Sequence, residues 1–348
     1  MNIYWLCGIS ASIAFIIGVI LYKIFIPLLR KVKLGQKILE IGPSWHKSKE
    51  GTPNLGGLIF ITAFAVALIV AMLTFKLNFG EYVEYELSFK ATLIFVLFAL
   101  SQGIIGFVDD YVKLFKKRNK GLSSTQKLIL QTLTTALYLF SNAYFLDADT
   151  AIGTPWGELE LGIFYYVIML LAIVYIINCA NLTDGIDGLA GSVAFIICTM
   201  LLIFAMNLSS NFGIPTDYLE LLCVYEHYAF AISSLLGALL AFLVFNFHPA
   251  KIFMGDTGSL FLGGFIVGAV MFTDNEFLLL PIACIWILEG LSGMLQVFSF
   301  KVFGKRIFKM SPIHHHFEKC GWGEVKIVLV FSLITVAFSA LTYYLLTF

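Results

Sequence analysis

Stretches of roughly twenty apolar residues recur along this chain, and their recurrence constrains the fold more than any other feature, because a helical crossing of a bilayer needs about that many. About ten are legible, near 3–27, 55–76, 89–108, 126–145, 162–181, 188–207, 228–247, 258–273, 276–299 and 325–347. Hydrophobic residues make up 59% of the 348 and charged residues only 13%, against about 25% charged in a soluble domain. The expectation is an all-α, polytopic integral membrane protein with about ten transmembrane helices. So little chain lies between the spans that a separate soluble domain has no room, and 1–348 reads as a single transmembrane domain.

Charge orients the spans. Arg30, Lys31, Lys33, Lys37, Lys47 and Lys49 follow the first. Lys113, Lys116, Lys117, Arg118, Lys120 and Lys127 follow the third or open the fourth. Lys301, Lys305, Arg306, Lys309, Lys319 and Lys326 surround the last loop. Intervening loops are acidic, with Glu81, Glu84 and Glu86, then Asp147, Asp149, Glu158 and Glu160, then Asp217, Glu220 and Glu226. Basic loops stay in the cytoplasm, so both termini are expected outside and odd-numbered spans run inward. The first span has no basic residue before Lys23 and no small-residue cleavage signature, and reads as a retained helix. The six cysteines form no CxxC pair and read as small core residues.

Aspartates at the ends of apolar runs are the costly exceptions, since an acid at a helix centre in lipid costs roughly 2.5–3.5 kcal/mol. GFVDD ends at Asp109 and Asp110, NLTDGIDG carries Asp184 and Asp187, and FMGDTGS carries Asp256. On a continuing helix Lys113 shares a face with both Asp109 and Asp110. That arrangement serves either as a helix-end ion pair or as a carboxylate that takes a proton or a metal beside a phosphate-steering lysine. Asp184 and Asp187 are spaced for one face of a helical turn, with Asn181 and Thr183 beside them; a capped helix start is the plainer alternative. Asp256 opens a helix next to Gly255 and Gly258, where free N–H groups favour anions, and hard oxygen ligands suit magnesium. The orientation from charge puts these acids on one, cytoplasmic, face. His314, His315 and His316 lie in a basic loop without zinc-helix spacing and suit hydrogen bonding to a diphosphate or sugar. Glu289, inside the ninth span near Gly290, Gly293 and Gln296, suggests a helix that bends or lines a polar cavity.

SKEGTPNLGG at 48–57, GFVDDYVKLFKKRNKGLSSTQK at 106–127, NCANLTDGIDGLA at 178–190, NFHPAKIFMGDTGSLFLGG at 246–264 and SPIHHHFEKCGW at 311–322 occur in an order that resembles the polyprenyl-phosphate N-acetylhexosamine-1-phosphate transferases. Lys113 and the PIHHHFE loop are similar to the branch whose donor is UDP-N-acetylmuramoyl-pentapeptide (UDP-MurNAc-pentapeptide); Asn54, where that branch usually has threonine, departs from it. The resemblance covers nearly the whole chain. It implies one catalytic domain that moves phospho-N-acetylmuramoyl-pentapeptide from UDP to undecaprenyl phosphate, releasing UMP and forming lipid I, with Mg2+ as cofactor. It also implies a bacterial cytoplasmic membrane, an active site on the cytoplasmic face, contact with membrane lipids and a homodimer, and no nucleic-acid partner.

By the same resemblance Asp109 would deprotonate the lipid phosphate, Asp110 would be a neighbouring acid and Asp256 the magnesium ligand. Lys113, Asn246, Phe253 and Asp187 match positions that line a uridine pocket. Asn181, Asp184 and the His314–His316 run match further active-site positions, and Lys49 a functional lysine. Competing readings are the same chemistry with UDP-N-acetylglucosamine, and a secondary transporter, whose site would lie nearer the bilayer midplane.

Overall fold

The computed structural model describes residues 3–31, 49, 51–79, 85–115, 121–154, 156–211, 219–273 and 275–347. Lys33, Lys37, Lys47, Lys116, Lys117, Arg118 and Lys120, read above as orientation signals, lie outside the described residues, as do Glu81, Glu84 and Asp217. The chain is helical almost throughout: α1 (Ile3–Lys31), α2 (Gly56–Phe79), α3 (Tyr85–Phe115), α4 (Ser124–Phe145), α5 (Ile163–Thr183), α6 (Leu189–Asn211), α7 (Leu219–Asn246), α8 (Gly255–Met271), α9 (Leu279–Ile282), α10 (Cys284–Phe303), α11 (Ile313–Lys319) and α12 (Glu324–Thr347).

Every expected span coincides with helix, and among the described residues eight helices are long and apolar enough to cross a membrane. Of the other two expected crossings, α8 has 17 residues, and α4 carries Gln131, Thr134 and Thr135 among its apolar residues. The ninth range departs from a single helix. It is a 3-10 turn (Glu276–Leu278), then α9, then α10, with the break at Ala283. Pro281 lies within α9, where its missing N–H removes one ladder bond upstream of that break. Glu289 therefore sits in unbroken helix; the bend is earlier. A short antiparallel hairpin, β1 (Ala151–Thr154) with β2 (Gly157–Glu160), joins α4 to α5.

Helix α8 is the axis of the molecule. Its residues from Thr257 to Met271 are all buried, and it packs on α2, α3 and α5. Between membrane helices lipid tails are as apolar as leucine, so close packing and interhelical hydrogen bonds drive association. Both are present. Gly264 faces Ala99 and Gln102 of α3, and Gly263 faces Ile177 of α5. Phe265 lies edge-on to Phe64 of α2 (centroids 5.5 Å apart) and Phe95 of α3 (5.4 Å), pairs worth about 0.5–1.5 kcal/mol beyond area burial. Gln102 donates to Thr134 (2.8 Å) and Asn178 to Gln131 (2.9 Å), tying the more polar α4 to α3 and α5.

The TPNLGG segment locks the start of α8 against α2. The Gly56 N–H donates to the Phe253 carbonyl (2.8 Å), that of Gly57 to Met254 (2.9 Å) and that of Phe253 to Pro53 (2.8 Å). A Cβ on Gly57 would lie 2.3 Å from the Gly258 nitrogen, backbone against backbone. Gly57→Ala should therefore force α2 from α8 and cost about 1–3 kcal/mol. Thermal unfolding in detergent should show a clear drop for Gly57→Ala and little for Gly293→Ala, where nothing lies within 4 Å.

Candidate active site

Two turns from its end, α3 presents Asp109 and Asp110, both buried. The i+4 lysine falls where helical spacing puts it: Lys113 Nζ is 2.5 Å from Asp109 Oδ2. The same ammonium reaches Asp256 Oδ2 on α8 at 3.0 Å. Close approach of the two helices depends on Gly106, whose Cβ would fall 2.1 Å from the Asp256 carbonyl oxygen.

Helix α4 completes the charge balance. Ser123 caps it by accepting the Gln126 N–H, while the Gln126 side chain accepts the Ser123 N–H, a reciprocal arrangement that fixes the first turn. The Leu122 N–H then donates to Asp109 Oδ1 (2.7 Å), and Lys127 reaches Asp256 Oδ2 (2.8 Å). A lysine in a first helical turn opposes the helix dipole, so its position depends on that carboxylate. Lys127 was not singled out as a site residue from sequence; the S-S-T-Q capping pattern was the available signal.

The α8 N-terminus does bind an anion, and the anion is Asp110. Its carboxylate accepts the N–H groups of Asp256 (3.3 Å) and Thr257 (2.9 Å) and the Thr257 hydroxyl (2.7 Å). Asn181 at the end of α5 donates to Asp256 Oδ1 (2.9 Å) and Ser259 Oγ (2.7 Å). One oxygen each from Asp109, Asp110 and Asp256 lie within 4.8 Å of one another. Three such hard donors, with a surplus of one carboxylate over the two lysines, fit a divalent cation such as magnesium.

Asp184 and Asp187 occupy a turn between α5 and α6, not a shared helical face. Helix α5 ends at Thr183 with Asp184 as its C-cap, and Gly188, at φ 80°, stands just before α6. Asp184 looks toward the first cluster. Burial, and then the charges of Asp256, Asp110 and Asp187, push its carboxyl up to about 7. Asp187 looks the other way. Its Oδ1 takes Lys49 Nζ (2.7 Å), and its Oδ2 takes the Ala250 N–H (2.9 Å) and lies 3.1 Å from His248 Nδ1. Glu324, at the start of α12, accepts from Lys49 (2.6 Å) and from the Asp187 N–H (3.0 Å). Glu324 and His248 had no local sequence signal; each is recognisable only from its partners.

Asn246 is buried and bonded at both ends, accepting the Gly188 N–H (3.0 Å) and donating to the Ile252 carbonyl (2.9 Å). Phe253 is half-buried beside TPNLGG, and Asn54 lies against Gly255. The three histidines diverge. His314 pairs with Glu289 (3.0 Å), His315 with Glu318 (2.5 Å), and His316 Nδ1 accepts the Lys309 N–H (3.1 Å).

Residues 92–274 match the model of glycosyl transferase family 4. Proteins called phospho-N-acetylmuramoyl-pentapeptide-transferase are similar along almost their full length. That of Clostridium perfringens (strain SM101 / Type A) is 43% identical over 94% of this chain and 92% of its own. That of Oceanobacillus iheyensis is 41% identical over 97% of each. The chain belongs to glycosyl transferase family 4. It is a multi-pass membrane glycosyl-1-phosphate transferase. The family segment contains Asp109, Asp110, Lys113, Lys127, Asp184, Asp187 and Asp256; Lys49, Glu289, the histidine run and Glu324 fall outside it.

The raised Asp184 carboxyl gives a pH signature. Folded protein holds that proton up to about pH 7, whereas an unfolded aspartate loses it near pH 4, at about its ordinary value. The folded state thus binds more protons in between, and stability falls as pH rises through that window. With metal chelated, Asp184→Asn should remove this component from thermal transitions recorded between about pH 4 and pH 8.

Proposed function

We propose that the chain transfers phospho-N-acetylmuramoyl-pentapeptide from UDP to undecaprenyl phosphate, giving lipid I and UMP, at the cytoplasmic face of a bacterial cytoplasmic membrane. The observation that carries this reading is the convergence of Asp109, Asp110 and Asp256 with Lys113 and Lys127 at the ends of apolar helices. Joining a nucleotide diphosphate to a lipid phosphate crowds negative charge, and cations at fixed positions offset it. The names of the similar proteins support the muramoyl-pentapeptide donor. Orientation with both termini outside, ten crossings and a homodimer belong to the same reading, on the strength of loop charge and resemblance.

Each residue has a part. Asp256, with Asp109 and Asp110 beside it, would hold Mg2+, which when bound supplies charge neutralisation for the diphosphate. Asp109 takes the proton of the lipid phosphate, whose oxygen then attacks the β-phosphorus of the donor as the bond to UMP breaks. Lys113 and Lys127 lie where they can face phosphate oxygens once a substrate draws them from Asp256. Asp110 is bonded to the α8 N-terminus and holds that helix start in place. Lys49 and Asp187 lie to the nucleotide side, anchored by Glu324.

The decisive measurement is UMP release by purified protein offered each UDP-sugar with undecaprenyl phosphate and Mg2+. Release is expected with UDP-MurNAc-pentapeptide; release only with UDP-N-acetylglucosamine would reassign the donor. Chelation or Asp256→Ala should abolish turnover, and normal, metal-dependent turnover in Asp256→Ala would defeat the metal assignment. Asp109→Asn should lower kcat by about 100-fold or more, the range of a lost general base, with a much smaller change in donor KM.

A further inference from the structure

Glu289 lies in α10 with its side chain wholly buried. A buried acid needs a partner, and that partner comes from α11. Glu289 Oε2 is 3.0 Å from His314 Nδ1 and 3.5 Å from the His314 backbone nitrogen. The carboxylate thus engages the Nδ1 side of the ring and leaves Nε2 on the opposite edge. Nε2 is fully buried and has no hydrogen-bond partner among the described residues. It faces Gly185: a Cβ built there would lie 2.1 Å from Nε2. The ring edge thus rests on the backbone of the turn that carries Asp184 and Asp187.

Besides the bonds to the Asp187 carboxylate, two side chains accept N–H groups of that turn. Asn246 accepts the Gly188 N–H, and Glu324 accepts the Asp187 N–H. Neither reaches Gly185. We propose that Glu289 and His314 are positioning residues: Glu289 fixes the imidazole, and the imidazole edge sets the height of the 184–188 turn, and with it the nucleotide side of the site. His314 acts on the turn through its Nε2 edge, while His315, whose ring centroid lies 4.1 Å from that of His314, pairs with Glu318 and His316 accepts the Lys309 N–H. This deepens the function proposed above and rests on it.

The test uses Glu289→Gln, His314→Asn and the double variant of the full chain in detergent, assayed for UMP release with UDP-MurNAc-pentapeptide and undecaprenyl phosphate. Each single change is expected to raise donor KM about tenfold, leaving lipid KM and kcat within about threefold, and the double should be no worse than the weaker single. A fall in kcat at unchanged donor KM would make His314 a group that touches the reacting atoms and overturn the proposal, as would losses that multiply in the double variant. Gly185→Ala provides a second arm. It should reproduce the KM defect in otherwise wild-type protein and add no further loss to His314→Ala, where the ring is absent; an equal added loss would defeat the contact. If the wild type turns over no donor, the function reading alone falls. The inference is then judged on thermal transitions of the same variants, where additive shifts would overturn it.

Discussion

Carboxylates a few ångströms apart at the edge of a membrane repel one another and resist burial, and only opposing cations and N–H groups make such a cluster tolerable. Asp256 is the point at which this constraint is met. Two lysines from different helices and an asparagine from a third converge on its carboxylate. Its own N–H and the next one are taken up by Asp110. The rest of the architecture follows from bringing those groups together: α8 at the centre, α3 close enough to need Gly106, and α4 begun by a capping box that aims Lys127 inward. A site held by mutual neutralisation is also ready for anionic substrates, because phosphate oxygens can replace carboxylate oxygens around the same ammonium groups.

The helices were legible because apolar length is a one-dimensional property, and lipid leaves a chain few alternatives to helix. The acids were legible for the complementary reason: each stands out against an apolar run. Lys127 was not, because a lysine in a basic loop looks like an orientation signal, and its partner Asp256 is 129 positions away. Glu324 and His248 are ordinary polar residues at helix edges until Asp187 is placed between them. The spacing of Asp184 and Asp187 was misleading in one respect. It matches a helical face, yet α5 ends at Thr183, before either aspartate, and in the turn beyond it the two carboxylates go to different clusters.

The turn at 184–188 shows how a loop in a membrane enzyme is made rigid without secondary structure of its own. The N–H groups of Gly188, Asp187 and Asp184 are taken by Asn246, Glu324 and the Asn181 carbonyl, and the turn's two carboxylates face different clusters. Asp184 faces the charges of Asp256 and Asp110, whereas Asp187 pairs with Lys49. A single short segment therefore sets the distance between the two clusters, and the absence of a Cβ at Gly185 and Gly188 leaves room for His314 and Phe247 against it.

Lys49 precedes the second helix and Glu324 opens the last, and the two meet at Asp187. During synthesis the carboxylate cluster can assemble once α8 is in the bilayer, but the Lys49–Glu324 bond waits for the ribosome to deliver α12. A nascent or truncated chain would carry the acids and still lack one anchor of the turn. A chain that stops before Glu324 therefore has Asp187 without the acceptor of its backbone N–H.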